Sequence, residues 1–376
     1  REVIPIKLAE AFVTISADSK QLTTGLNKAQ TQLEKSVNKM SVKLASIGKV
    51  MTVAGVAITA AFGYAVKGSM DLETKLKRVE IQSGATVTQM AEIKKIALSK
   101  EMIKLGKSGS EVADVFNRLA SEGYDVIQMK KMLNPIVETA INLGTDEAET
   151  TKMMLNLMQQ YNLEAKDMAY ISDVLTGALA NTSFQGNEIV EAFKYAGVAA
   201  GELGWSLAET IPIVDAVIKV TGEASMAGTQ FRQTILMMKD PTAEMVEEFK
   251  KVGISMDDVN EALKTSTGVV ELLSKAHEKG ANFTALFGKR AFAAATAISR
   301  QTVPAVEALT KAVSEAGIGT KTAAEIMDTA TGKFATFGAA MQNIRTTIGD
   351  ILLPVVSQLA EWIGNLAIKI KEWIDV

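Results

Sequence analysis

Residues 115–144 read VFNRLASEGYDVIQMKKMLNPIVETAINLG, and this stretch decides the fold class. It holds two helical patterns, split by Gly123 and closed by Gly144. Glycine adopts the left-handed conformation that ends a helix without steric cost, so each is a stop signal. The same punctuation continues outward. Gly106, Gly204, Gly222 and Gly253 mark further stops, and Thr145, Ser206, Thr242 and Ser266 stand where new helices should start. A hydroxyl there can take the first free amide of the next helix. Pro241, after Lys239 and Asp240, is expected in a first helical turn. From about Thr86 to Arg300 no alternation is long enough for a sheet. The expectation is an all-α fold with a compact multi-helix body over residues 83–300. The opening stretch also has an echo. Phe116, Gly123-Tyr124, Pro135-Ile136-Val137 and Gly144 return as Phe193, Gly204-Trp205, Pro212-Ile213-Val214 and Gly222, with spacings that differ by several residues. That is consistent with a duplicated helical unit.

Long helices are expected to flank this body. Residues 1–17 form a short extended segment, with β-like runs around Val3–Ile6 and Phe12–Ile15, the only strand material in the chain. Asp18 and Gln21 have the spacing of a capping box and open a long helix over residues 18–82. Its apolar positions Leu22, Leu26, Ala29, Leu33, Val37, Met40, Leu44, Ile47 and Met51 step by three and four, a heptad seam with one stutter. Val50–Val66, between Lys49 and Lys67, carries no charge. Gly55, Thr59 and Gly63 fall four apart in it and permit close helix approach. Val53, Gly55, Val56, Ile58, Phe62 and Gly63 are the candidate membrane contacts, although burial against other helices is the plainer reading of so short a run. Residues 301–376 return to long helices. There Val356, Leu359, Ile363, Leu366, Ile370 and Trp373 make a second heptad seam, just after a helix break or first turn expected at Pro354. A chain that starts on Arg1 and stops inside a heptad pattern is expected to be part of a longer protein.

Composition argues against catalysis. The 376 residues include no cysteine and one histidine, which removes disulfides, thiolate metal sites and most histidine chemistry. Forty basic and 43 acidic side chains leave a net charge of −3, short of the excess a duplex-binding surface needs. The charge is uneven: residues 1–49 carry 8 basic and 4 acidic groups, and residues 50–288 carry 23 and 31. Gly106-Lys107-Ser108 resembles the end of a phosphate loop, but Glu101 stands where the earlier glycine is required. His277 reads as a surface residue. The acidic clusters Asp146-Glu147-Glu149, Glu247-Glu248 and Asp257-Asp258 read as helix starts. Tyr161, Tyr170, Tyr195 and Trp205 lack the interleaved arginines of a base-stacking surface. The methionines, paired as at Met129 and Met132, Met153 and Met154, and Met237 and Met238, read as core filling. No enzyme, cofactor or metal site is expected.

The order of these parts resembles the phage tail tape measure protein family. The resemblance spans about Asp71 to Arg300 and rests on Val115–Ala120 with Gly123, Gly144, Tyr161, Gly204 with Trp205-Ser206, Gly222, Gly228-Thr229, Phe231-Arg232, Pro241-Thr242 and Leu286-Phe287-Gly288. It implies a structural virion protein, made in the host cytoplasm and held in the lumen of the tail tube near the tip. It implies setting of tail length, organisation of tube assembly, and release that assists genome delivery. Implied partners are tail tube, distal tail or baseplate hub proteins, tail assembly chaperones, the genome end and the host membrane. The two seams are expected to join copies of the chain as a trimer through Leu22, Leu26, Leu33, Val37, Met40 and Leu44 and through Val356–Trp373. The competing expectation from another class is a helical pore-forming or membrane-remodelling toxin, which the uncharged helix would also serve.

Overall fold

The computed structural model describes the backbone of residues 48–374 and most side chains from residue 64 onward. The extended segment expected at 1–17 and the seam from Leu22 to Leu44 lie outside the described residues. Those described form α-helices and one turn of 3₁₀ helix, with no strand among them. The chain is all-α.

In chain order the helices are α1 (Gly48–Ser83), α2 (Val87–Ala97), α3 (Lys100–Lys104), α4 (Gly109–Ser121), α5 (Val126–Leu143), α6 (Glu147–Gln160), α7 (Met168–Asn181), α8 (Gly186–Glu202), α9 (Leu207–Thr221), α10 (Ala224–Lys239), α11 (Ala243–Lys251), α12 (Met256–Ala262), α13 (Ser266–Glu278), α14 (Phe283–Ser299), α15 (Val303–Val313), α16 (Ile318–Asp328) and α17 (Ala330–Ile374).

One three-residue joint recurs between them. At 123–125 Gly123 is left-handed (φ +87°), the Tyr124 amide donates to the Leu119 carbonyl, and Asp125 accepts from the Gln128 amide. The first residue turns the chain, the second closes the finished helix, and the third caps the next. Gly204-Trp205-Ser206 does the same, with Trp205 donating to the Ala200 carbonyl and Ser206 capping α9. The pattern returns at 106–108, 144–146, 253–255 and 280–282, and with Asn162 at the left-handed position at 162–164, where no side chain caps. The caps fall one residue from two expected positions. Asp146 caps α6 in place of Thr145, and Thr265 caps α13 in place of Ser266. Pro241 precedes the cap Thr242 and so stands outside the first turn.

Short joints fold consecutive helices back on one another, and 65–374 is one packed unit. Helix α9 lies at its centre, buried from Thr210 to Ile218 and packed against α10, α14, α15 and α7. Helix α15 also packs on α7, and α16 lies on α5 and α7. The core holds Phe116, Phe193, Phe231, Phe249 and Phe287 with Met129, Met132, Met154 and Met238, as expected of methionine in irregular gaps. Glycines let backbones touch inside it: a Cβ on Gly228 of α10 would lie 2.1 Å from the Ala192 carbonyl of α8.

Glu247-Glu248 is not a helix start; it lies in the second half of α11. Glu248 reaches across instead, accepting from the Asn282 amide at 2.8 Å and from Lys251 Nζ at 3.0 Å. The amide first, then the lysine, hold its carboxyl below the usual range. A depressed folded pKa gives stability that is complete above the unfolded value and lost as pH falls through the folded one. Glu248→Gln is therefore expected to flatten the acid side of a plot of melting temperature against pH.

Candidate interaction surface

Helix α17 buries its small and polar side chains and exposes its bulky apolar ones. Its inner face is small and polar: Gly332, Ala339, Asn343, Thr346 and Gly349 are buried. Its outer face is large and apolar, with Phe334 76%, Phe337 53%, Met341 46%, Ile348 36% and Val356 41% exposed. A helix that packs only on its own body normally shows the reverse.

The inner face explains how such a helix is held. A Cβ on Gly349 would sit 2.2 Å from the Ala65 carbonyl, so α17 and α1 cross with their backbones nearly touching. Asn343 Oδ1 accepts from the Gly109 amide at 2.7 Å, serving the N-terminus of α4. Asp350 pairs with Lys94 of α2 at 2.7 Å and accepts from the Ser69 hydroxyl of α1. Nearby, Lys75 bonds Asp114 and Ser110, and Ser110 donates to Asp71, whose carboxyl is held low chiefly by that hydroxyl. Close backbone approach and polar bonds fix the helix, so its bulky side chains are left facing water.

Those side chains are in register. Phe334, Phe337, Met341, Ile344, Ile348, Leu352 and Val356 step by 3, 4, 3, 4, 4 and 4, and the seam expected at Val356 continues from them. The expected helix break at Pro354 is absent, because α17 runs through it. A proline removes one ladder bond and can bend a helix whose neighbouring turns still bond. The same three-and-four stepping runs through twelve apolar positions from Phe334 to Trp373, about 60 Å at about 1.5 Å per residue, and the side chains of the first seven are among the described residues. That stepping was the signal for the upstream half of the seam.

Of the residues expected to form sites, Val356 is exposed on this seam. Leu359, Ile363, Leu366, Ile370 and Trp373 lie on the backbone of α17, and Val53, Gly55, Val56, Ile58, Phe62 and Gly63 on that of α1. Their side chains are outside the described residues. Among the described residues no helix is long and apolar enough to cross a membrane. Lys107 is engaged by Glu147 and Ser108 caps α4, so the would-be phosphate loop is a helix joint. His277 is exposed, its ring edge-on to Phe283 at 5.3 Å. Tyr161 and Trp205 are buried.

Residues 99–288 match the family model described as phage-related minor tail protein. A tape measure protein of Pneumococcus phage Dp-1 is 25% identical over 382 aligned positions, covering 96% of this chain and 32% of that protein. A protein of Escherichia phage P2, named "Probable tape measure protein", is 25% identical over 385 positions, covering 97% of this chain and 46% of its own length. The chain thus spans just under a third of the first relative and just under a half of the second. No solved structure matches.

Proposed function

The chain belongs to the phage-related minor tail protein family, and from that premise we propose that it is the part of a tail tape measure that gathers copies of the protein at the tail tip. A structural role in a phage tail follows from the family and from relatives named tape measure protein. The finer reading adds that it lies in the tube lumen near the tip, helps set tail length with chaperones, tube and hub proteins, and leaves with the genome end at infection. One observation carries the assembly step: an outward apolar seam on a helix already anchored by its other face. A single chain leaves that surface in water, and a second and third copy would bury it. Copies meet through Val356–Trp373 and, at the other end of the chain, through the seam at Leu22–Leu44.

Ile344 and Ile348 at successive seam positions favour three strands. The second reading is two strands, favoured by Val356, Ile363 and Ile370 alternating with Leu359 and Leu366. Phage carrying Phe334→Asp with Phe337→Asp are expected to give lysates without tails of uniform length by electron microscopy. Normal tails would defeat the proposal.

Membrane contact through Val53, Gly55, Val56, Ile58, Phe62 and Gly63 on release is a separate step. The protein is expected to leak dye from anionic liposomes, and Gly55→Asp with Ile58→Lys is expected to abolish most of that leakage. Equal leakage by the variant would count against this step.

A further inference from the structure

The echo between the two helix pairs is structural, and the two copies differ in one respect. In α4–α5 and α8–α9 a helix ends on a left-handed glycine, an aromatic residue follows, and a capping box opens a helix with an internal proline. Both second helices end on a left-handed glycine, Gly144 and Gly222. Tyr124 and Trp205 therefore leave the same position of the same turn.

Their surroundings diverge. Trp205 is 3% exposed, and its Nε1 donates to the Leu263 carbonyl at 2.9 Å. Leu263 is the C-cap of α12, so the indole is covered by the end of a helix. That helix belongs to the stretch between α10 and α14, which comprises α11, α12 and α13. At the first joint only residues 161–167 separate α6 from α7. The Tyr124 hydroxyl has no such partner among the described residues; the half-buried side chain lines an open groove of about 630 Å³ with Gln128, Lys131, Leu163, Glu164 and, from the last turn of α6, Met158.

We propose that the Tyr124 groove receives the C-terminal end of a helix from a partner protein, as the Trp205 position receives the end of α12. The chemistry matches on three counts. The tyrosine hydroxyl is a donor, as the indole N–H is, and suits a free carbonyl. Met158 and Leu163 supply an apolar floor for a last-turn side chain such as leucine. A helix C-terminus carries about half a negative charge, and Lys131 at the rim is exposed and forms no ion pair among the described residues. Its neighbour Lys130 is already taken by Glu92, at 2.6 Å.

The test uses the whole chain and a peptide of its own residues 253–265, stapled between the exposed positions 257 and 261 to hold the helix. Fluorescence anisotropy is expected to show saturable binding. Tyr124→Ala and Lys131→Glu should each weaken it at least tenfold, and Tyr124→Phe, which keeps the ring but loses the donor, by less. A peptide with Leu263→Asp should not bind. Melting temperatures of the variants separate a lost site from a lost fold. Absence of saturable binding, or binding that survives Tyr124→Ala and Lys131→Glu in folded protein, would overturn the proposal and leave the tail assignment untouched.

Discussion

A chain with Gly228→Ala is expected to unfold about 2 kcal/mol more easily than the unmodified one in urea. The sign is the informative part. In an ordinary helix interior the same change stabilises by about 1 kcal/mol, because alanine has less backbone freedom to lose. Here the added Cβ would stand 2.1 Å from the Ala192 carbonyl and 2.9 Å from its carbon, so α8 or α10 must move. A backbone carbonyl in a packed core cannot swing aside like a side-chain tip, and overpacking of this kind costs about 1–3 kcal/mol or more. Gly338 of α17 is the control. Nothing lies within 4 Å of a Cβ placed there, so Gly338→Ala should raise stability. If Gly228→Ala raises the unfolding midpoint as Gly338→Ala is expected to, the close α8–α10 contact is wrong.

The second large effect is on assembly. Replacing Phe334 and Phe337 with Asp should dissociate the oligomer while leaving helical content by circular dichroism unchanged. Burying a phenylalanine contributes about 1.5–3 kcal/mol, so the pair contributes about 3–6 kcal/mol per chain. Losing about 4 kcal/mol weakens association roughly a thousandfold. Aspartates facing one another across the seam add repulsion. Both positions face water in the single chain, so its folding should be unharmed. A variant that sediments as the unmodified protein does would remove these residues from the interface.

Local rules carried much of the fold. A left-handed residue and a cap are set within three residues, so Gly123, Gly144, Gly204, Gly222 and Gly253 could be read as stops before any packing was known. The one-residue errors at Thr145 and Ser266 have a local cause as well. Adjacent side chains, Asp146 and Thr265, could also take the amide, and only the backbone decides between neighbours. What stayed hidden was non-local. Glu248 looked like a helix-dipole residue, yet its role is to accept an amide 34 positions away. The upstream half of the seam was obscured by Pro354, a strong local stop that tertiary context overrode. Nor could sequence say that the small and polar face of α17 is the buried one. That follows from the crossing at Gly349 and from Asp350 meeting Lys94. The echo was visible as letters, but the difference between Trp205, buried under the end of α12, and Tyr124, half-buried beside an open groove, required the placement of α12.

The central claim is that α17 presents a seam that other copies of the chain must cover. Light scattering on the purified chain tests it most directly. The expected mass is three times 40.2 kDa on the primary reading and twice 40.2 kDa on the second. A stable mass of 40.2 kDa at micromolar concentration would contradict it.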